Sequence, residues 1–369
     1  MSGSDHSGIT DPDDLNRSSN SNSASDCEGF SFVGSPPNTI PHAIRRRMLT
    51  VALLNHNGRL GRAIYATLLP LVQHFRIALV VLHRPDSDIS GIPPEVETRA
   101  LDLDRGDLPH VRAAVQGINV VISALPLQAI SSQKILVEAL TSHPTLLTFI
   151  PSDFAPPWQA EAENIDDNDN AEDDDVDVPH RPLRPQVQFL VAKDRIAQMA
   201  RARGVPLTIV RSGVFVDRLL ESRSWGIDIW ANRMAVYDGA MSKEWPLTTI
   251  EYLAASLCQL LSHPSKLPNR TFTSIQFLPT GDDLARILSS LHGRAPKLEA
   301  FTDAEYTRDL DRGVDAVLAS QVKRGFGRGW DWDRVDSSGH AKRLGVEGWR
   351  GDGLEGIMRH YLEEDGDGV

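Results

Sequence analysis

The chain has 369 residues, of which 41% are hydrophobic and 24% are charged, a composition typical of soluble globular proteins rather than fibrous or disordered ones. No run reaches the roughly 18 to 20 apolar residues of a membrane span, and the N-terminus lacks the apolar part of a secretory signal. The net charge is −12, but residues 159–178 carry ten acidic residues and no basic ones, which leaves −2 for the rest. We therefore expect a cytoplasmic protein that binds neither nucleic acid nor membrane.

Two segments lack the apolar pattern of a folded core. Residues 1–47 contain ten serines, and we interpret them as a disordered tail. The acidic stretch and the prolines after it form a predicted disordered insertion at 159–186. The chain has only two cysteines, and its histidines are not spaced as metal ligands, so we expect neither a disulfide framework nor a metal site.

From residue 49 onward, short apolar runs alternate with helical patterns, which is typical of βαβ units. This predicts an α/β fold with a doubly wound parallel sheet of the Rossmann type at 48–215. A smaller mixed α/β lobe for substrate is predicted at 216–369. The predicted strands are 49–54, 77–82, 96–100, 119–124, 146–150 and 208–211, with helices at 59–73, 107–115, 127–142 and 187–203. Beyond them, helices are predicted at 250–262 and 281–292, a strand at 270–277, and a capping box at 302–305.

The first strand leads directly into the sequence NHNGRLG at 55–61 and then into a helix, the context of a dinucleotide-binding turn. Gly58 would let the backbone approach a diphosphate, and Gly61 would let helix and strand pack closely. Asn55 replaces the first glycine of the motif, and asparagine tolerates the left-handed backbone better than other residues with a side chain. An ordinary strand-to-helix turn is the alternative.

The second strand ends at His83 and Arg84, where the ribose of a dinucleotide would lie. Arginine can pair with the 2′-phosphate of NADP, whereas a carboxylate would favour the 2′-hydroxyl of NAD. Arg84 therefore indicates NADP(H), although Asp86 and Asp88 leave NAD open, as does a solvated role for Arg84.

Lys193 occupies the centre of the apolar stripe of its predicted helix, in line with Ile196, Ala197 and Ala200. A desolvated amine can exchange protons near neutral pH and suits a general acid or base. A lysine whose stem covers apolar surface while its amine reaches water is the equal alternative. No Tyr-x-x-x-Lys pair occurs in the chain, so a reductase would have to use Lys193 without a tyrosine.

Several blocks of sequence, in order, resemble the NmrA-like and isoflavone-reductase-like group of atypical short-chain dehydrogenases, in particular its fungal oxidoreductases. They include RLGRAI (59–64), ALDLDRGDL (100–108), GINVVISAL (117–125), FIPSDF (149–154) and the stretch from 193 to 215. The resemblance covers about 49–299. Where the plant enzymes usually carry glutamate, this chain has Asp153. The resemblance assigns no role to Trp330 and Trp332. We expect both to pack within the smaller lobe, and a position facing the substrate is the alternative.

This resemblance implies that Lys193 is the proton-transfer residue and that Arg84 holds the 2′-phosphate of NADP(H). It implies a nicotinamide pocket beside two strand ends, with Phe154 and Phe215 as substrate contacts. The implied diphosphate residues are Asn55, Asn57, Gly58, Arg59, Leu60 and Gly61, and the nicotinamide residues are Ala124, Leu125, Pro151 and Ser152.

The sequence thus predicts an NADPH-dependent reductase of a small, aromatic or conjugated metabolite, in secondary metabolism. The alternative is a non-catalytic NAD(P)-sensing regulator that binds a protein partner through the tail or the acidic insertion. A third reading is a cofactor site that has lapsed at Asn55.

Overall fold

The structure is a computed structural model that describes residues 48–105, 107–157, 188–330, 332 and 342–364. The predicted tail at 1–47 and the predicted insertion at 159–186 lie outside the described residues. Within the described ranges, no helix is both long and apolar enough to cross a membrane.

The central sheet contains five parallel strands in the order β3-β2-β1-β4-β5. A parallel bridge between Phe149 and Leu207 continues it to β6, which pairs in turn with β11, and β11 pairs with β13. All of these pairings are parallel, so the carboxyl ends of the strands share one edge. The strands are β1 (Leu49–Leu54), β2 (Ile77–His83), β3 (Glu97–Ala100), β4 (Val120–Ser123), β5 (Thr148–Ile150), β6 (Thr208–Ser212), β11 (Arg270–Ser274) and β13 (Lys342–Leu344).

Helices cover both faces of this sheet, because successive side chains of each buried strand point to opposite faces. In β1, Val51 and Leu53 pack into one core, and Ala52 and Leu54 into the other. Helices α1 (Arg59–Gln73) and α6 (Ile250–Leu260) cover the first face. The second face is covered by α2 (Leu108–Val115), α3 (Gln133–Leu140) and α4 (Gln188–Ala202).

A third core lies among the elements that follow β6. Its centre is Trp245, fully buried and stacked on Phe326 with ring centroids 3.9 Å apart, while Trp330 meets Phe326 edge-on. The packing expected for Trp330 is confirmed, and Trp332 is half-buried. The elements around this core are β7 (Val214–Phe215), α5 (Val216–Glu221), β8 (Ile227–Asp228), β9 (Arg233–Val236), β10 (Leu247–Thr248), α7 (Gly281–His292), β12 (Lys297–Ala300), α8 (Asp303–Asp309), α9 (Val314–Arg328) and α10 (Leu354–Glu364).

The predicted doubly wound parallel sheet is confirmed, and each of its six predicted strands lies within two residues of its expected bounds. The pattern at 127–142 forms a 3₁₀ helix, Leu127–Ser132, followed by α3. Two elements beyond residue 215 join the large sheet rather than the smaller lobe, because β11 pairs with β6 and α6 packs on α1. The division into two domains stays a prediction.

Candidate functional site

The turn after β1 is held by Asn55, which adopts the left-handed backbone with φ of +67°. Its side-chain amide donates a hydrogen bond to the carbonyl oxygen of Ala124 at 2.7 Å, and its own carbonyl accepts from the amide of Gly58 at 3.2 Å. A glycine could adopt the same backbone but could not make the first bond. Asn55 therefore closes the turn and also fastens it to the end of the neighbouring strand β4.

The two glycines of the turn stand where a side chain would collide. A Cβ on Gly61 would lie 1.9 Å from the carbonyl oxygen of Asn55, and one on Gly58 would lie 2.4 Å from the Asn55 side-chain nitrogen. Helix α1 begins at Arg59, and no side chain caps its first amides. This close turn, with glycines at 58 and 61 and no side chain on the first amides of α1, fits a diphosphate group.

We expect two substitutions of Asn55 to separate its backbone from its side chain. Asn55→Gly keeps the left-handed backbone and loses one hydrogen bond, so the free energy of unfolding should fall by about 1 kcal/mol. Asn55→Ala loses the same bond and adds about 1 to 2 kcal/mol of left-handed strain. Urea denaturation measures both variants, and equal losses would show that backbone strain plays no part.

Beyond the turn, a cleft of about 470 Å³, part of it open to solvent, lies between the ends of β1, β2 and β4. Arg84 stands on its rim and donates a hydrogen bond to Asp104 at 2.9 Å, with both side chains 60% exposed. Asn57 donates to the backbone carbonyl of Asp88 at 3.1 Å. Burial lowers the pKa of His56, which also lines this cleft. The guanidinium group of Arg84 places a positive charge on its rim.

The side chain of Arg59 does not line this cleft and pairs instead with α5. Its guanidinium group makes a two-pronged ion pair with Glu221 of α5, one contact being 2.6 Å. Tyr361 of α10 donates to Asp217 at 3.1 Å and to Glu221 at 3.4 Å. The hydrogen bond from Arg59 holds the pKa of Glu221 below its usual range. Arg59 therefore ties the turn to α5 and α10, while its backbone stays at the start of α1.

The predicted nicotinamide residues lie together at the ends of the paired strands β4 and β5. Ser152 joins the two ends, because its hydroxyl donates to the carbonyl oxygen of Leu125 at 2.6 Å. The amide of Ser152 donates to the buried side chain of Gln133 at 2.9 Å. With Ala124 bound to Asn55, the turn and both strand ends form one hydrogen-bonded wall, to which Pro151 also belongs.

The two predicted substrate residues occupy different settings. Phe154 is 5% exposed and packs inside the core on the α1 face of the sheet. Phe215 is half-buried and packs against the same core from β7, as Leu60 does from α1. Contact with a substrate stays a prediction for both phenylalanines.

Lys193 lies on the buried face of α4, as its position in the apolar stripe predicts, with 8% of its surface exposed. Its amine is 3.8 Å from Asp153 Oδ1, the residue next to Ser152. The same oxygen accepts a 2.7 Å hydrogen bond from Arg211 of β6, whose other terminal nitrogen donates to Asp194 at 3.3 Å. Asp153 and Arg211 are almost fully buried.

Burial dominates the electrostatics of this cluster. It lowers the pKa of Lys193, an effect that Asp153 opposes and Arg211 reinforces. Burial also raises the pKa of Asp153, and the positive charges of Arg211 and Lys193 act in the opposite direction. The sequence pattern pointed to Lys193 but not to Arg211. The signal for Arg211 was available, because it is a charged residue within the apolar strand TIVRS.

Across the described ranges, no group of three His, Cys, Asp or Glu side chains is arranged to hold a metal ion.

No family model and no curated protein matches this sequence, but solved structures share its fold. Leucoanthocyanidin reductase from Vitis vinifera, in complex with NADPH, is 14% identical with a TM-score of 0.58, over 85% of this chain and 99% of that chain. An isoflavone reductase is 14% identical with a TM-score of 0.61, over the same shares. Triphenylmethane reductase from Citrobacter sp., complexed with NADP(H), is 16% identical with a TM-score of 0.53, over 86% of this chain and 99% of that chain. At these identities the likeness establishes that the chain has the Rossmann-type fold of these reductases.

Proposed function

We propose that the chain is an NADPH-dependent reductase of a small aromatic or conjugated metabolite, of the NmrA-like and isoflavone-reductase-like kind. The observation that carries the proposal is the continuous wall from the Asn55 turn through Ala124 and Leu125 to Ser152, next to Asp153 and Lys193. The reductases with the same fold include complexes with NADPH or NADP(H). Their names refer to isoflavone and triphenylmethane compounds, which supports an aromatic substrate.

Different residues at the carboxyl edge of the sheet would bind different parts of NADPH. The backbone from Asn57 to Gly61 would hold the diphosphate, since no side chain caps the first amides of α1. Arg84 would hold the 2′-phosphate by exchanging its bond to Asp104 for one to the phosphate. When bound, NADPH supplies the hydride for the reduction.

Lys193 would supply or remove the proton that balances charge on the substrate oxygen, according to whether its amine is protonated when the substrate binds. Its amine lies in an apolar setting that disfavours the ammonium form, so it releases a proton more readily than an exposed lysine. Asp153 and Arg211 hold the surroundings of the amine in place from β5 and β6.

Purified full-length protein should bind NADPH and oxidise it in the presence of a suitable isoflavone-like or triphenylmethane compound. Lys193→Met should keep NADPH binding and lose at least about 100-fold in turnover, the usual contribution of a general acid or base. Binding is followed by fluorescence titration, and turnover by the absorbance of reduced nicotinamide. Wild-type turnover in the methionine variant would remove Lys193 from the mechanism.

Arg84 gives a separate test of the preference for NADPH. We expect Arg84→Gln to weaken NADPH binding by about 1.5 to 3 kcal/mol, the range for a hydrogen bond to a charged group, and to leave NADH binding unchanged. Asp104→Asn is the matched control, because it frees Arg84 and should leave NADPH binding equal or tighter. Calorimetric titrations measure the binding of NADPH and NADH to each variant. An equal loss of NADH affinity in Arg84→Gln would contradict the assignment of Arg84 to the 2′-phosphate.

A regulator that binds NAD(P) and a protein partner is the second candidate function. The observation in its favour is the burial of Lys193 and Phe154, whose side chains present little surface to a substrate. A regulator would bind the dinucleotide in the same titration and would turn over none of the compounds. Turnover that depends on Lys193 would exclude this reading.

A further inference from the structure

The cluster around Lys193 contains more positive than negative buried groups. Lys193 and Arg211 are both buried cations, and Asp153 is the buried carboxylate between them. The other carboxylate, Asp194, has a side chain that is 49% exposed. A guanidinium group stays protonated at all ordinary pH values. The group that can restore balance by losing its proton is therefore Lys193.

The distances show which cation holds the carboxylate. Arg211 Nη1 is 2.7 Å from Asp153 Oδ1, a short charge-assisted hydrogen bond. Lys193 Nζ is 3.8 Å from that same oxygen, which is beyond hydrogen-bond distance. Arg211 is held in place by its second bond, to Asp194 at 3.3 Å. Arg211 thus holds the oxygen that lies nearest the lysine amine, while the other oxygen, Asp153 Oδ2, is buried without a hydrogen-bond partner among the described residues.

We propose that Arg211 is a positioning residue for Lys193: it takes up the charge of Asp153, so that the lysine amine stays beside the wall of the site without a hydrogen bond to that carboxylate. Among the described residues, the side-chain hydrogen bonds of Arg211 go to Asp153 and Asp194 and not to the predicted cofactor residues, so its effect on Lys193 would pass through Asp153. This inference deepens the proposed function, on which it rests for the role of Lys193 in proton transfer.

Among the described residues, the other charged side chains near Lys193 are exposed or half-buried. They are Arg195 and Arg201 on α4, Arg203 just after it, and Lys134 and Glu138 on α3, and Glu138 pairs with Arg203 at 3.5 Å. Within the same described ranges, the charges that act on the Lys193 amine are those of Asp153, Arg211 and Asp194. Variants of these three residues therefore test the inference.

The test measures the protonation of Lys193 directly, without NADPH or substrate. Trace acylation with acetic anhydride modifies only neutral amines, and mass spectrometry gives the rate at each lysine of the full chain as a function of pH. The exposed Lys134 of α3 serves as the internal reference. Each unit of pKa change alters the rate tenfold on the acidic side of the profile.

Arg211→Met should move the Lys193 profile to higher pH and slow its acylation at pH 7 at least about tenfold, because Asp153 is then left to the lysine. Asp153→Asn should shift the profile in the opposite direction. Asp194→Asn, which leaves the bond between Arg211 and Asp153 in place, should shift it much less than either.

The methionine variant keeps one buried anion and one buried cation, so it is expected to fold, and circular dichroism checks this. If it does not, Arg211→Gln keeps hydrogen-bond donors without the charge and provides the same comparison. An unchanged profile in a folded Arg211 variant would overturn the inference, as would a wild-type Lys193 that is not acylated at any pH. Because no cofactor is used, a failure here is distinct from a failure to bind or oxidise NADPH.

Discussion

Replacing Gly61 with alanine is expected to lower the free energy of unfolding by about 3 kcal/mol, at the upper end for overpacking, and to remove measurable NADPH binding. The added Cβ would lie 1.9 Å from the carbonyl oxygen of Asn55, 2.9 Å from its carbonyl carbon and 3.1 Å from the Cα of His56. These are backbone atoms, so no side-chain rotation relieves the collision. Helix α1 must move away from β1, and the turn must open.

Opening the turn would also disrupt the hydrogen bonds that Asn55 makes. Asn55 keeps its left-handed backbone because its carbonyl bonds to Gly58 and its side chain bonds to Ala124. A displaced α1 removes the first bond and pulls on the second, so the effect reaches β4. The loss of NADPH binding should therefore exceed what the loss of stability alone would produce.

Gly91→Ala is the matched control for this prediction. A Cβ at Gly91 meets no atom within 4 Å, so its effect on unfolding should stay within about 0.5 kcal/mol. Urea denaturation and fluorescence titration with NADPH are applied to both variants. If Gly61→Ala bound NADPH as the wild type does, the close approach at this turn would not be what the site requires.

Periodicity predicted the main sheet because its strands are buried on both faces and appear as continuous apolar runs. Runs such as Leu49–Leu54 and Ile77–His83 pair with each other in register over their length. The place of β11 in the sheet could not be predicted from periodicity. Its sequence, RTFTS, does not identify its neighbour, and its pairing with β6 joins residues about 60 positions apart.

Some residues of the candidate site could also be predicted from the sequence. Asn55 and Lys193 each break a local pattern, one at a glycine position and the other within an apolar stripe, and a broken pattern can be seen in sequence alone. Their partners, Ala124 and Asp153, follow strands that are distant in sequence. Nothing in local sequence reveals that Arg211 and Lys193 share one carboxylate.

That shared carboxylate leads to two opposite expectations for stability. Asp153→Asn leaves Arg211 and Lys193 buried without their common anion, so the free energy of unfolding should fall by about 3 to 5 kcal/mol. Lys193→Met removes the cation in excess and leaves Asp153 with Arg211. Because a buried charge is replaced by an apolar chain of similar length, this variant should be between unchanged and about 2 kcal/mol more stable.

The stability difference between Lys193→Met and the wild type should depend on pH, and this dependence shows whether protonation of Lys193 causes it. Below the ordinary lysine pKa of 10.5, the unfolded chain binds a proton at Lys193, whereas the folded chain stays neutral there until its lowered pKa is reached. The unfolded state binds more protons in that window, so the lysine's contribution makes the wild type more stable as pH rises through it. The advantage of the methionine variant should vanish above pH 10.5, grow as pH falls from there, and level off below the pKa of the folded state.

Urea denaturation of the three proteins between about pH 6 and about pH 11 measures these differences in the free energy of unfolding. A Lys193→Met variant that is several kcal/mol less stable than the wild type would show that the amine holds the fold together through Asp153. A stabilised variant that has also lost turnover would mean the opposite, namely that the chain retains a destabilising buried amine because its chemistry needs one.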